Sequence, residues 1–222
     1  MVEPTRDRQL EAAILRGVSD RAGARRNVIL RLLSDPRLGV RALRSILGQA
    51  TPMQTEDRRV LEQIIFGHYA RRADIGSILF VGCQWYTAHY QRQFFPDRDY
   101  WTIDPDPKAR RYGGRRHRVI PLERLNECFP ESRFDLIICN GVYGFGLDDR
   151  DQCERAFARA YSALRKDGQM VLGWTNVPAR TPVILDGIES LARFNRFVFP
   201  ELGTWRYVTD TPYAHTYDFY LK

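Results

Sequence analysis

Two residues that could bind a nucleoside each follow a short apolar run of the chain. The run 78–81 stops at Gly82, and the aromatic-rich run 100–103 stops at Asp104, which is 22 residues after Gly82. A glycine at the end of a strand lets the backbone come close to a ligand, and an acid after the next strand can accept hydrogen bonds from two ribose hydroxyls. The spacing fits a strand, a turn, a helix and a second strand. It predicts a site for a nucleoside-containing cofactor.

The elements that would position these residues alternate from residue 77 onwards. Strands are predicted at residues 78–81, 100–103, 118–120, 134–139 and 170–174, and helices at 87–95, 123–129, 150–165 and 183–194. Such alternation with short connections predicts a parallel sheet with helices on both faces. The last two predicted strands, 205–209 and 216–221, are joined by only a short turn, so they must be antiparallel.

The first third of the chain has a helical pattern instead. Apolar residues recur at helical spacing over residues 6–72, and Thr51-Pro52 has the form of a helix start. We predict about four short helices here, the last of which carries an apolar stripe from Val60 to Tyr69. The predicted division is a helical N-terminal segment, 1–72, and a ligand-binding domain, 73–222. The segment would be a lid or a homodimer surface, or would pack beside the sheet.

Composition limits the class of protein. A chain of 222 residues, 44% of them hydrophobic, can form one α/β domain with a modest extension. No apolar stretch approaches the roughly 18 residues that a membrane span needs, and the charged N-terminus does not resemble a secretory signal. The four cysteines have neither metal-binding nor CxxC spacing, which favours a reduced, cytoplasmic protein.

The net charge of +7 raises the question of nucleic-acid binding. Only three of the 34 basic residues are lysines, and a GC-rich genome explains such an arginine excess better than phosphate binding does. One cluster around the Gly113-Gly114 turn has two interpretations, a solvated loop or a site for an anionic substrate or partner. Its members are Arg110, Arg111, Arg115, Arg116, His117 and Arg118.

Two further motifs complete a family resemblance. Residues 134–143 read FDLIICNGVY, and residues 156–172 read AFARAYSALRKDGQMVL, in which Asp167-Gly168 predicts a tight helix exit with glycine at positive φ. Together with the two strand ends and the antiparallel tail, residues 70–222 resemble the class I S-adenosylmethionine-dependent methyltransferases. The resemblance implies an α/β fold with a Rossmann-like, doubly wound sheet, mostly parallel with an antiparallel last strand. It also implies S-adenosyl-L-methionine as cofactor and S-adenosyl-L-homocysteine as product.

The glycine motif departs from the family pattern. Phe80 replaces the usual acid, and of three glycine positions only Gly82 is kept, since Gln84 and Tyr86 occupy the others. A pyrophosphate would find no cradle of small residues here, which disfavours NAD, whereas S-adenosylmethionine has no pyrophosphate. Pro121 lies about where the family often has an acid that contacts adenine, so backbone contacts from Pro121 to Leu122, or Glu123, would have to serve.

Ligands of open α/β sheets lie beyond the carboxyl ends of the strands, which selects the candidate binding residues. The cofactor is expected to contact Gly82, Cys83, Gln84, Trp85, Tyr86, Asp104, Pro105, Pro121, Leu122, Asn140 and Gly141. The substrate is expected to contact Tyr143, Phe145, Trp174 and Asn176.

An alcohol acceptor benefits from a general base, for which the chain offers several candidates. The predicted catalytic residues are His215, Asp148 and Tyr143, with Asp149 and His89 as alternatives. The acids at 148–151 could chelate Mg²⁺, but acids at a helix start also cap the helix and favour its dipole, so no metal is expected.

The predicted function is methyl transfer to a small-molecule or glycan-like acceptor at oxygen, with no membrane partner. Two alternatives stay open. One is an RNA methyltransferase that uses the arginine cluster to bind phosphates, although the chain has Asn140-Gly-Val-Tyr where base-methylating enzymes have Asn-Pro-Pro-Tyr. The other is a degenerate, non-catalytic binding protein, which the lost glycines favour.

Overall fold

The computed structural model describes residues 55–222. The helices predicted before residue 55 and the start signal at Thr51-Pro52 lie outside the described residues. The division of the chain at residue 72 stays a prediction.

One mixed sheet dominates the described part of the chain. Its strands are β1 (Ser77–Val81), β2 (Asp99–Ile103), β3 (Arg116–Arg118), β4 (Phe134–Asn140), β5 (Leu164–Thr175), β6 (Asn195–Arg196), β7 (Arg206–Val208) and β8 (His215–Leu221). Their order is β3-β2-β1-β4-β5-β8-β6, and β7 also pairs with β8. Strands β1 to β5 are parallel, and β8 is antiparallel to β5. The predicted fold class, including the antiparallel tail, is confirmed.

Helices connect the strands and cover both faces of the sheet. The continuous helical segment 56–71, named α1, consists of Glu56–Arg59, the π-helical stretch Val60–Ile65 and Phe66–Arg71. The others are α2 (Tyr90–Phe94), α3 (Arg150–Ala163) and α4 (Glu189–Ala192), with short 3₁₀ turns between them. No helix within residues 55–222 is long and apolar enough to cross a membrane.

The continuous apolar runs of the central strands explain the two-sided cover. In β1, Leu79 and Val81 belong to the core under α3, whereas Ile78 and Phe80 belong to the core under α1. Strands of a parallel sheet are buried on both faces, so their side chains alternate between two apolar layers. Phe80 packs edge-on against Phe66 of α1 with ring centroids 6.4 Å apart. The aromatic side chain at the expected acid position therefore belongs to the packing of α1.

Several predicted elements differ in type or extent. The helix predicted at 123–129 is the 3₁₀ helix Leu122–Glu127, and the helix predicted at 150–165 ends at Ala163, where β5 begins. The strand predicted at 118–120 lies two residues earlier, as β3 (Arg116–Arg118), because these three residues pair with β2. Ile120 lies beyond the strand, and its backbone N–H donates to the Asp104 carbonyl. The helix predicted at 87–95 is reduced to the 3₁₀ turn Trp85–Thr87 and α2. The helix predicted at 183–194 is broken into a 3₁₀ turn and α4, in keeping with the low helix propensity of Gly187 and its β-branched neighbours.

The turn before the buried part of β5 also differs from the prediction. Asp167, with φ of 61°, takes the positive-φ conformation that the sequence assigns to Gly168. Gly168 is needed for a different reason, since a Cβ atom there would lie 2.9 Å from the Arg165 carbonyl oxygen.

Candidate functional site

A cleft of about 610 Å³ opens at the carboxyl ends of the parallel strands. Its walls come from the ends of β1, β2, β4 and β5, from the start of β8, and from the first turn of α1. This is the edge at which open α/β sheets bind their ligands.

Asp104 joins the turn after β1 to the turn after β2. Its carboxylate accepts a hydrogen bond from the Cys83 backbone N–H at 2.8 Å and another from the Asp106 backbone N–H at 2.8 Å. The side chain is largely buried and lines the cleft. An ionised carboxylate has about four acceptor positions, so two remain for hydroxyl donors in the cleft.

Gly82 begins the turn after β1 with φ of +87°, a conformation that favours glycine. A Cβ atom there would lie 2.8 Å from Cγ2 of Val142, in the loop after β4. From the sequence, this glycine is predicted to allow close approach of a ligand. In the structure the neighbour is the adjacent loop, so the glycine serves the junction of two loops.

The turn continues into the 3₁₀ helix Trp85–Thr87, whose start is fixed by Thr87. The Thr87 hydroxyl accepts from the Gln84 backbone N–H at 3.1 Å, and the Thr87 N–H donates to the Gln84 carbonyl at 2.8 Å. Gln84, Trp85 and Tyr86 line the cleft, whereas the side chain of Cys83 is buried beside it. We name Gly82, Gln84, Asp104 and Pro105 the turn wall.

Other predicted cofactor contacts lie along the same edge. Pro121, Leu122, Asn140 and Gly141 all line the cleft. Asn140 ends β4, and its side-chain oxygen occupies the space that a Cβ atom on Gly173 would need. Gly173 thus lets the Asn140 amide point across the neighbouring strand towards β8.

Another wall of the cleft includes two charged residues of α1 that were not among the predicted binding residues. Asp57 and Arg58 are 3% and 8% exposed, and both line the cleft. The Arg58 guanidinium stacks 4.3 Å from the centroid of the Tyr86 ring and donates to the Tyr90 hydroxyl at 3.0 Å. Its Nε lies 3.5 Å from Oδ2 of Asp57. A buried ion pair thus faces the cleft beside the turn after β1.

The loop between β7 and β8 closes this wall. The Tyr213 hydroxyl donates to Oδ1 of Asp57 at 2.9 Å, and the Tyr217 hydroxyl donates to the Asp57 carbonyl at 2.8 Å. Glu56 accepts a hydrogen bond from the Asp210 backbone N–H. The start of α1 is therefore held by the last hairpin. We name Asp57, Arg58, Tyr213 and His215 the helix wall.

His215 is buried at the start of β8 and lines the cleft. Its Nε2 lies 3.1 Å from Oδ1 of Asn140. An amide oxygen can only accept, so Nε2 carries the proton and Nδ1 keeps its lone pair. Burial lowers the pKa of His215 to about 4, so the ring is neutral near pH 7.

The Asp57 carboxyl supplies the negative charge of the helix wall. Burial alone would raise the pKa of the Asp57 carboxyl. The positive charge of Arg58 and the hydrogen bond from Tyr213 are among the interactions that lower this pKa, and together they outweigh burial. Its pKa therefore lies below its ordinary value, and the carboxylate is ionised beside the neutral imidazole of His215.

Three of the four predicted substrate contacts lie outside the cleft. Tyr143 is buried and its hydroxyl donates to the Val183 carbonyl, and the Trp174 indole N–H donates to Asp218 at 3.1 Å. Asn176 is exposed beyond β5. Between Trp174 and Asn176, Thr175 lines the cleft because alternate residues of a strand point to opposite faces. Phe145 is the predicted substrate contact that lines the cleft.

The candidate bases other than His215 also lie elsewhere. Asp149 caps α3 by accepting from the Gln152 N–H at 2.8 Å, and Asp148 accepts from the Gly146 N–H at 3.2 Å. His89 is buried, with its Nε2 3.8 Å from Oε1 of Glu62. Among residues 55–222, no group of three or more His, Cys, Asp or Glu side chains could hold a metal ion.

Comparison with known proteins gives no sequence family. No family model matches the chain, and no curated protein matches it. Solved structures do match. The N-methyltransferase NodS from Bradyrhizobium japonicum WM9 is 14% identical, with 71% of this chain and 92% of NodS covered and a TM-score of 0.53. NodS in complex with S-adenosyl-L-homocysteine matches with 14% identity, 86% and 90% coverage and a TM-score of 0.52.

A second similar structure is the TehB-like SAM-dependent methyltransferase from Corynebacterium glutamicum. It is 23% identical, with 75% of this chain and 95% of that chain covered and a TM-score of 0.51. These likenesses, with the strand order and the antiparallel β8, show that the chain has the class I S-adenosylmethionine-dependent methyltransferase fold.

Proposed function

We propose that the protein is an S-adenosylmethionine-dependent methyltransferase that acts on a small-molecule acceptor. The observation that carries the proposal is Asp104 on this fold. Its carboxylate is held by two backbone N–H groups at the edge where the sheet binds ligands, and two of its acceptor positions remain for hydroxyls. The structural neighbours are described as methyltransferases, and one of them as a complex with S-adenosyl-L-homocysteine.

The residues present fit this cofactor. The cleft of about 610 Å³ is within the range of small-molecule sites. Asp104 would hold the ribose hydroxyls, and backbone groups of Pro121 and Leu122 would meet the adenine. Arg58 offers a cation for the carboxylate of the methionine portion. The turn after β1 has no cradle of small residues for a pyrophosphate, which again favours this cofactor over NAD.

The bound cofactor supplies a methyl group on a positively charged sulfur, which a nucleophile displaces. The role of the protein is to orient the acceptor and to exclude water, and positioning alone supplies much of the rate of such reactions. Phe145, Tyr86 and Val142 provide apolar surface in the cleft. The Nδ1 lone pair of His215 can accept a hydrogen bond from an acceptor hydroxyl and so orient it towards the methyl group.

Oxygen as the methylated atom is the finer part of the proposal. The neutral His215 supports oxygen as the methylated atom. Its uncharged ring can orient a hydroxyl group without repelling the positively charged sulfur of the methyl donor. NodS, which this chain resembles in fold, is described as an N-methyltransferase, so the choice of oxygen rests on the chain's own residues. Incubation with isotopically labelled S-adenosylmethionine and hydroxylated or amine acceptors, followed by NMR of the product, identifies the methylated atom.

Calorimetric titration with S-adenosylhomocysteine, beside NAD as control, tests the cofactor. We expect saturable binding of the first and none of the second. Binding of neither ligand by a folded protein would contradict the proposal and favour the non-catalytic interpretation, with Gln84, Trp85 and Tyr86 filling the pocket.

A further inference from the structure

Residues 107–122 form a strongly basic rim at one edge of the sheet. The segment contains six cationic side chains, and the first acid after it is Glu123. All six cationic residues are exposed. We name them the basic rim: Lys108, Arg110, Arg111, Arg115, Arg116 and Arg118.

The rim surrounds the edge strand β3, which pairs with β2 on one side only. Arg116 and Arg118 lie over the Trp101 ring at 5.5 and 5.3 Å from its centroid. Arg111 lies 5.0 Å from the centroid of the Tyr112 ring. Cations of the rim therefore lie beside two half-buried aromatic rings, Trp101 and Tyr112.

A shallow groove continues the rim along the 3₁₀ helix Pro107–Tyr112. It is lined by Pro107, Lys108, Arg110 and Arg111. This helix follows directly after Asp104, Pro105 and Asp106, which line the cleft. A partner bound on the rim would therefore lie beside the mouth of the cleft.

The rim combines closely spaced cations with few ion pairs. Elsewhere in the described chain several arginines pair with carboxylates, as Arg72 does with Asp74 and Arg206 with Asp218, while scattered ones such as Arg155 and Arg159 take part in none of the ion pairs. In the rim, Arg116 pairs with Asp99, and the other five cations take part in none of the ion pairs among residues 55–222. An arginine-rich composition explains the number of arginines, but it does not explain why five neighbouring cations share no acid.

We propose that the basic rim binds the phosphate backbone of single-stranded RNA. Guanidinium groups match phosphate oxygens in bidentate geometry, and nearby aromatic rings give bases a surface on which to stack. An anionic membrane would also attract these cations. Segments that bind a membrane surface, however, also present an apolar face to the lipid. In residues 107–122 the one exposed large apolar side chain is that of Val119, so a membrane is the poorer match. The proposal requires no methyl transfer to the RNA and stands independently of the cofactor.

Fluorescence anisotropy with a labelled oligoribonucleotide of about 12 nucleotides tests the proposal on the full chain. If five cations each neutralise one phosphate, affinity should fall about a hundredfold between 50 and 200 mM salt. A salt dependence of less than about threefold would contradict phosphate binding by the rim.

A matched pair of triple variants locates the binding. The rim variant is Arg110→Gln, Arg111→Gln and Arg115→Gln. The control is Arg155→Gln, Arg159→Gln and Lys166→Gln, which removes the same charge from exposed positions on and just after α3. We expect at least a tenfold loss of RNA affinity and a shallower salt dependence in the rim variant alone, with both variants unfolding at the wild-type temperature.

Two outcomes would overturn the proposal. Equal loss in both triple variants would show that RNA responds only to overall charge. Binding to phosphatidylserine vesicles or to a polyglutamate peptide at least as tight as to RNA, and lost in the rim variant, would assign the rim to a membrane or to an acidic protein instead.

Discussion

The two walls of the cleft are built in different ways. The turn wall comes from strand ends that are close in sequence, and backbone N–H groups bound to Asp104 hold it together. The helix wall joins residues far apart in sequence, since the hydrogen bond between Tyr213 and Asp57 spans 156 positions. It is held by buried charges and hydroxyl groups.

This difference predicts different consequences of substitution. In the turn wall, side chains that face the cleft should affect ligand binding more than folding, apart from the glycine that fixes the backbone. In the helix wall, removal of one charged partner should destabilise the fold, because the other is left buried without compensation.

The largest effect is expected for Arg58→Leu. The substitution leaves the Asp57 carboxylate buried without its cation and removes the hydrogen bond to Tyr90. Breaking a buried pair in this way typically costs about 3–5 kcal/mol of unfolding free energy. Chemical denaturation measures the loss, and Arg59→Leu, at the exposed neighbouring position, is the matched control. Equal stability of the two variants would show that the buried pair of Arg58 and Asp57 does not stabilise the fold.

The pH dependence of stability tests the other titratable group of this wall. The ordinary pKa of histidine is 6.5, and burial lowers that of His215 to about 4, so the unfolded chain binds a proton in this interval that the folded chain does not. Unfolding free energy should therefore fall as pH decreases from about 6.5 to about 4, by about 3 kcal/mol from this residue. The stability that Asp57 gains from its lowered pKa is lost only around and below its ordinary value of 3.8.

His215→Gln isolates this contribution. Glutamine can still donate to Asn140 but does not titrate, so denaturation curves of the variant should depend less on pH between 4 and 6.5 than those of the wild type. Parallel curves for the two proteins would show that His215 titrates with an ordinary pKa and is open to water.

A smaller effect is expected at the one turn-wall position that fixes the backbone. Gly82→Ala places a methyl group at φ of +87° and 2.8 Å from Val142, and we expect a loss of about 2 kcal/mol. Gly203 has φ of +65° with open space around a Cβ atom, so Gly203→Ala reports the backbone cost alone. Thermal unfolding should show a larger loss for Gly82→Ala, and adding Val142→Ala should restore part of it.

What could be predicted from the sequence follows the same division. Apolar runs that end at Gly82 and Asp104 indicate the strands, their parallel order and the turn wall, because these depend on local pattern. Thr175 was missed between Trp174 and Asn176, although strand alternation could have indicated which of the three faces the cleft.

No sequence pattern of this kind indicated the residues of the helix wall that lie on α1. Asp57 lies in the first turn of a helix, where an acid ordinarily complements the helix dipole at the surface. Its burial depends on the hairpin loop that carries Tyr213, and no sequence period connects the two. The π-helical stretch of α1 was likewise invisible, since its apolar residues fit an ordinary helical pattern.

The most direct test of the account is calorimetric titration of Asp104→Asn with S-adenosylhomocysteine. Asp97→Asn is the matched control, because it removes the same charge from an exposed position in the turn before β2 that does not line the cleft. With both variants folded, we predict that Asp104→Asn weakens binding by about 1–3 kcal/mol through lost ribose hydrogen bonds, while Asp97→Asn binds nearly as the wild type does. Unchanged affinity of the Asp104 variant would contradict the placement of the nucleoside at the turn wall.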